Sequence, residues 1–85
     1  MESAERLQLE IALNRYNRAL DLFPYDTNTL TKRGEVLLKL GRYQEAAEDF
    51  RQAIQLDPKR RDPAAKRASL LVNSVREALI LSQKK

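Results

Sequence analysis

The stretch YNRALDLFPYD at residues 16–26 returns, in altered wording, as FRQAIQLDPKR at residues 50–60. Sliding the chain by 34 residues sets Ala12 on Ala46, Tyr16 on Phe50, Ala19 on Ala53, Leu20 on Ile54, Leu22 on Leu56 and Pro24 on Pro58. Small residues meet small ones and aromatic meets aromatic. A small side chain lets two helices approach closely, and an aromatic one turn away fills the wedge where they diverge. A period between about 20 and 50 residues is the mark of stacked supersecondary units, so the repeat decides the fold before any single element is assigned.

Composition agrees with a helical stack. Two glycines and three prolines in 85 residues leave little material for sheet turns, and the 42% hydrophobic and 33% charged fractions suit one small folded unit over residues 1–85. With no cysteine there is neither a disulfide framework nor thiolate chemistry, and with no histidine the commonest general base and transition-metal ligand is missing. The longest apolar runs, VLL and ALIL, fall far short of a membrane span, and the N-terminus carries no apolar leader, so a cytoplasmic protein with no membrane partner is expected. Charge is uneven: residues 1–58 hold eight basic and ten acidic side chains, residues 59–85 eight basic and two acidic.

The punctuation predicts an all-α chain of about four helices, antiparallel because the connections are short. Apolar rows at Leu9, Leu13, Tyr16 and Leu20, and at Ala12, Tyr16, Ala19 and Phe23, predict a helix from about 3 to 23. Pro24 ends it, and Asp26 or Thr27 caps a second helix from about 28 to 40, which Gly41 stops. A third helix over 43–56 buries Tyr43, Ala46, Ala47, Phe50, Ala53 and Ile54. Asp62 and Pro63 then open a last helix that continues to about 83.

On these residues the stretch from Thr27 to Arg60 resembles one complete tetratricopeptide repeat, a 34-residue helix-turn-helix unit. Gly34, Gly41, Tyr43, Ala46, Phe50, Ala53 and Pro58 fall at the family's small, aromatic and proline positions. Leu30 stands where the family often has Trp, Arg33 where it often has Leu, and Leu37 where it often has Tyr. Residues 3–26 resemble the second helix of a preceding unit, and residues 61–85 the long helix that caps such arrays. The resemblance thus implies a fragment of an α-solenoid. About three repeats are normally needed to bury a continuous core. Either the chain is the C-terminal end of a longer array, or another chain supplies the missing first helix, which would make a homodimer. In the second case Leu9, Leu13 and Leu20 form the apolar side without a partner in the chain.

The family's inner face, lined by the first helix of each unit, implies where a partner would lie. Carried over in the 34-residue register, the candidates are Asn28, Thr31, Lys32, Glu35, Leu38 and Lys39 on the second helix and Lys66, Ser69, Val72 and Asn73 on the fourth, with Ala65 beside them. A solvated helix face accounts for the same pattern. Members that bind acidic chaperone tails clamp them with Lys, Asn and Arg; Lys32 and Lys66 stand at two clamp positions, but Asp62 falls where a cation would be wanted. A looser basic groove for a carboxylate or phosphate needs only Lys32, Lys39 and Lys66.

The basic run PKRRDPAAKR at 58–67 has the charge to neutralise phosphates, but no aromatic residues interleave with it and no recognition helix accompanies it, so nucleic acid is not the expected partner. Glu45, Glu48 and Asp49 read as a solubilising helix surface. Ser69 and Ser74 have no histidine to activate them. Without a phosphate loop, metal-ligand spacing or nucleophile–base pair, neither an enzyme nor a cofactor is expected. The expectation is a scaffold or adaptor module that binds a peptide or helix of another protein in a shallow groove, an acidic one where the basic groove is used. A self-associating cap of a longer array is the alternative, and attachment of nucleic acid to the basic segment a third reading.

Overall fold

In the computed structural model, residues 3–83 are described; residues 1–2 and 84–85, the outermost parts of the unit expected over 1–85, lie outside them. Four α-helices follow one another: α1 (Ala4–Leu22), α2 (Thr27–Lys39), α3 (Tyr43–Leu56) and α4 (Pro63–Gln83). There is no strand among the described residues. Each helix packs on the next, and α2 also touches α4. The chain is therefore an all-α helical repeat.

Local chemistry sets the boundaries. Ser3 caps α1 by accepting the Arg6 N–H at 3.2 Å. The Asp26 carboxylate caps α2 by accepting from the Asn28 and Thr29 N–H groups. At the other end of α2, Gly41 takes φ +80°, and the N–H groups of Gly41 and Arg42 donate to the carbonyls of Leu38 and Leu37. Those two bonds satisfy carbonyls the helix end leaves open, and a left-handed residue is what they require. Asp62 repeats the capping of Asp26: its carboxylate accepts from Ala64 N–H and its carbonyl from Lys66 N–H. The loop before it is held by Asp57, whose carboxylate accepts from Asp62 N–H at 2.7 Å.

The core is centred on the α2–α3 hairpin. Phe50, Ala46 and Ala53 are fully buried on α3, facing Leu30 and Leu37 of α2, which are 2% and 3% exposed. Gly34 sits directly over the Phe50 ring. A Cβ there would lie 2.5 to 2.9 Å from three ring carbons, so only a bare backbone allows the two helices to come this close. Leu13 and Leu20 of α1 and Val72 and Val75 of α4 complete the cluster from the two sides.

A charged contact penetrates this packing. Arg33 donates from Nε and Nη2 to both carboxylate oxygens of Asp49, at 2.8 and 2.7 Å, and from Nη1 to Asn17 Oδ1 at 3.1 Å. One side chain thereby ties α2 to α3 and α1. The hydrogen bond to Asp49 raises the Arg33 guanidinium above its ordinary value, so the group remains a cation. Asp49 is itself only 4% exposed. The expected solubilising role holds for Glu45 and Glu48, which are exposed, but not for Asp49: its place on the helix faces inward, where Arg33 neutralises it.

The two sides of α1 also differ from expectation. Leu13 and Leu20 are buried and Leu9 is half-buried, all within the core cluster, so they are not the unpartnered side. The less covered row is Ala12, Tyr16 and Ala19: Ala12 and Tyr16 pack against the core cluster, yet all three are only half-buried, whereas their counterparts Ala46, Phe50 and Ala53 on α3 are 0% exposed. The difference is that α3 lies between two helices and α1 touches α2 alone.

Phe50→Ala should cost about 3 to 5 kcal/mol, the usual range for truncating a buried aromatic. Gly34→Ala gains about 1 kcal/mol of helix propensity but forces overpacking worth about 1 to 3 kcal/mol, and because the ring has no open side to move into, the overpacking should win. Both variants should melt below wild type by circular dichroism; a wild-type melting temperature for either would refute this packing. Arg33→Leu should cost about 3 to 5 kcal/mol by stranding a buried carboxylate, and Arg33→Leu with Asp49→Leu should recover much of that loss. Additive losses in the double variant would show that the two side chains are not coupled.

Candidate functional site

The candidate partner surface is the face that α2 and α4 share. On α2, Asn28, Lys32 and Lys39 are exposed, and Glu35 and Leu38 are half-buried. Residues 28, 32, 35 and 39 are spaced by three and four, so they form one continuous stripe. Thr31, placed with them in the 34-residue register, is 2% exposed. Its hydroxyl donates to the carbonyls of Thr27 at 2.9 Å and of Ala64 at 3.2 Å, so it joins the start of α2 to the start of α4 and is not presented to a partner.

On α4 the 34-residue register holds for burial: Ala64, Ala65 and Ala68 are buried like Leu30, Thr31 and Gly34, and Lys66 and Asn73 are exposed like Lys32 and Lys39. The capping aspartates Asp26 and Asp62 are 36 residues apart because α4 starts two residues later in that register than α2 does. Val72 is 7% exposed and belongs to the core, where its counterpart Leu38 is half-buried, a second correction to the carried-over set. Lys66 and Asn73 are exposed and Ser69 is half-buried, with its hydroxyl donating to the Lys66 carbonyl. Ala65 is fully buried.

The α4 residue that reaches α2 is Arg67, whose Nη2 donates to Glu35 Oε1 at 2.8 Å. The hydrogen bond and the charge of Glu35 raise the Arg67 guanidinium above its ordinary value. Sequence reasoning passed over Arg67 because the 34-residue register matches it to Arg33, which is not among the inner-face candidates. The signal that could have found it was the opposite charge of Glu35 and Arg67, 32 residues apart on helices that meet. The pairing changes the electrostatics of the face: Arg67 and Glu35 neutralise one another, leaving Lys32 and Lys39 as the charges of the α2 stripe.

A second depression lies between α1 and α3. Glu10, Leu13, Asn14 and Asn17 line it from α1, Arg33 and Leu37 from α2, Arg42 from the turn before α3, and Glu45, Glu48 and Asp49 from α3. The charges here are mostly spoken for. Arg33 holds Asp49, and Arg42 holds Glu45 through two bonds of 2.8 and 2.7 Å that lower the Glu45 carboxyl below its ordinary value. Among the described residues no group of histidine, cysteine or carboxylate side chains converges for a metal ion. Nor is any helix among them long and apolar enough to cross a membrane.

Neither a curated relative nor a similar solved structure matches the chain. The family model that does match is that of the tetratricopeptide repeat, over residues 27–60, which is the α2–α3 hairpin with the loops that bound it. Repeats of this kind are non-catalytic modules that mediate protein–protein interaction. The Gly34–Phe50 contact and the left-handed Gly41 turn are the physical content of that match, and residues 27–60 of this chain are a tetratricopeptide repeat.

Proposed function

We infer that the chain is a scaffold or adaptor module that holds an acidic peptide or helix of another protein along the face shared by α2 and α4. The observation that carries this reading is the exposed stripe of Asn28, Lys32 and Lys39 on the helix of the repeat that also meets α4. The half-buried Leu38 lies beside the stripe and supplies apolar contact. Lys66, Ser69 and Asn73 border the same region from α4, one residue round that helix from Arg67. In this reading α1 is the second helix of a partial repeat and α4 a capping helix, so that residues 3–26, 27–60 and 61–85 form one unit. The place of work is the cytoplasm.

Such a site binds weakly. Exposed charge pairs contribute about 0 to 1 kcal/mol each and are screened by salt, so backbone hydrogen bonds and the contact at Leu38 must supply the rest. Lys32→Ala with Lys39→Ala should lower affinity for a glutamate-rich peptide several-fold at low salt and leave the melting temperature nearly unchanged. Lys66→Ala alone should have the smaller effect, since Arg67 stands between it and α2. The measurement is an NMR titration of the whole chain. Shifts confined to residues 59–67 would move the site to the basic loop and overturn the assignment to the α2–α4 face.

A further inference from the structure

The row Ala12, Tyr16 and Ala19 on α1 packs against the core through Ala12 and Tyr16 yet stays half-buried, and the repeat shows what covers such a row completely. On α3 the equivalent row is covered by α2, which sets bare backbone at Gly34 over the Phe50 ring and Arg33 against Asp49. Moving back 34 residues puts Tyr16 in the place of Phe50 and Arg15 in the place of Asp49. A helix covering α1 therefore needs a small residue over Tyr16. In the position just before it, where α2 carries a cation, it needs an acid, because the charge on the receiving helix is reversed. An apolar residue three places after the small one would do for α1 what Leu37 does for α3.

The chain carries that pattern once outside the core. Glu77 is exposed, Ala78 after it is half-buried, and Leu81, three places on, is 68% exposed. The other acid–small pair that follows the same order within a helix, Glu45–Ala46, has its alanine fully buried. Neither Arg15 nor Glu77 has a side-chain partner among the described residues. The segment is also free to reach out: α4 has 21 residues against 14 in α3, an excess of about 10 Å at 1.5 Å per residue, and Leu79 already stands at the α2–α3 turn. Within one molecule α4 makes no contact with α1.

We propose that the end of α4 in one copy of this chain covers the open face of α1 in a second copy, with Glu77 paired to Arg15 and Ala78 seated over Tyr16. The contact is heterologous. Two copies close a ring if each covers the other, and otherwise the contact propagates head to tail. This goes beyond the α2–α4 face and uses none of its charged side chains, so either can fail alone. Because Ala78 carries the Cβ that Gly34 lacks, the two helices stand slightly further apart than α2 and α3, and the association is weak.

Sedimentation velocity of the whole chain tests the pairing. Wild type should show a sedimentation coefficient that rises between about 10 µM and about 1 mM. Arg15→Glu and Glu77→Arg should each weaken association about tenfold. An equimolar mixture of the two variants should associate again, since each then offers the charge the other lacks, and the double variant should associate by itself. Far-UV circular dichroism of each variant checks that the helices are intact. A wild type that stays monomeric to about 1 mM, or variants that do not complement one another, overturns the proposal and gives the α1 face to a helix of a different protein.

Discussion

Everything else in the molecule depends on how near the Phe50 ring stands to the backbone at Gly34. A contact of that kind sets the distance between α2 and α3, and the distance sets which side chains fit around it: Ala46 and Ala53 above and below the ring, Leu30 and Leu37 across from it. The hairpin can be made this tight only because Gly41 turns the chain through a left-handed conformation immediately after α2. Two glycines are all the chain has, and the structure uses one to bring helices together and the other to reverse between them. The remaining two helices are laid on the hairpin from either side.

The Arg33–Asp49 pair does a different kind of work. A buried ion pair is a weak source of stability, since desolvating both groups offsets most of their attraction. What it provides is direction: a guanidinium fork that reaches both oxygens of one carboxylate and an amide on a third helix fixes the rotation of α2 relative to its neighbours. An apolar residue at position 33 would fill the same space without choosing a register. Replacing the family's frequent leucine there is thus less a departure from packing than an added constraint on it, and it makes the charge at the matching position of each helix a label for which helix it accepts.

Much of this was legible in the sequence. The 34-residue return of small, aromatic and proline positions located α3 and the α2–α3 turn, and Ser, Asp, Gly and Pro marked every boundary to within a residue or two. Which rows were buried on α1 was not legible. Leu13 and Leu20 look as though they need a partner, but the identity of their partner depends on a helix not yet placed, and it was α2. The surface on α4 was misread for a different reason. A repeat transfers which positions face inward, and Lys66 and Asn73 are exposed as transferred, but it does not transfer side-chain partners or fine burial: Arg67 pairs with Glu35, and Val72 is buried where its counterpart Leu38 is half-buried. Thr31 was hidden by its chemistry: a hydroxyl that satisfies two carbonyls is content in the core, and composition cannot distinguish it from one that faces water.

The two outer helices end the stack in unlike ways. α4 spends Ala64, Ala68, Val72 and Val75 on the helices before it, and leaves outward a row of Lys66, Ser69, Asn73 and Arg76 that is content in water. On α1 the small–aromatic–small row Ala12, Tyr16 and Ala19 packs against the core through Ala12 and Tyr16 and yet stays half-buried. Polar groups can terminate a helical stack because they lose nothing to solvent. An apolar row with small residues for close approach keeps its preference for a helix whether or not one is present. The direction in which this stack can be extended is therefore set by α1 and not by α4's outward row; on α4 the apolar side chains still to bury are Leu70 in mid-helix and Ile80 and Leu81 at the end.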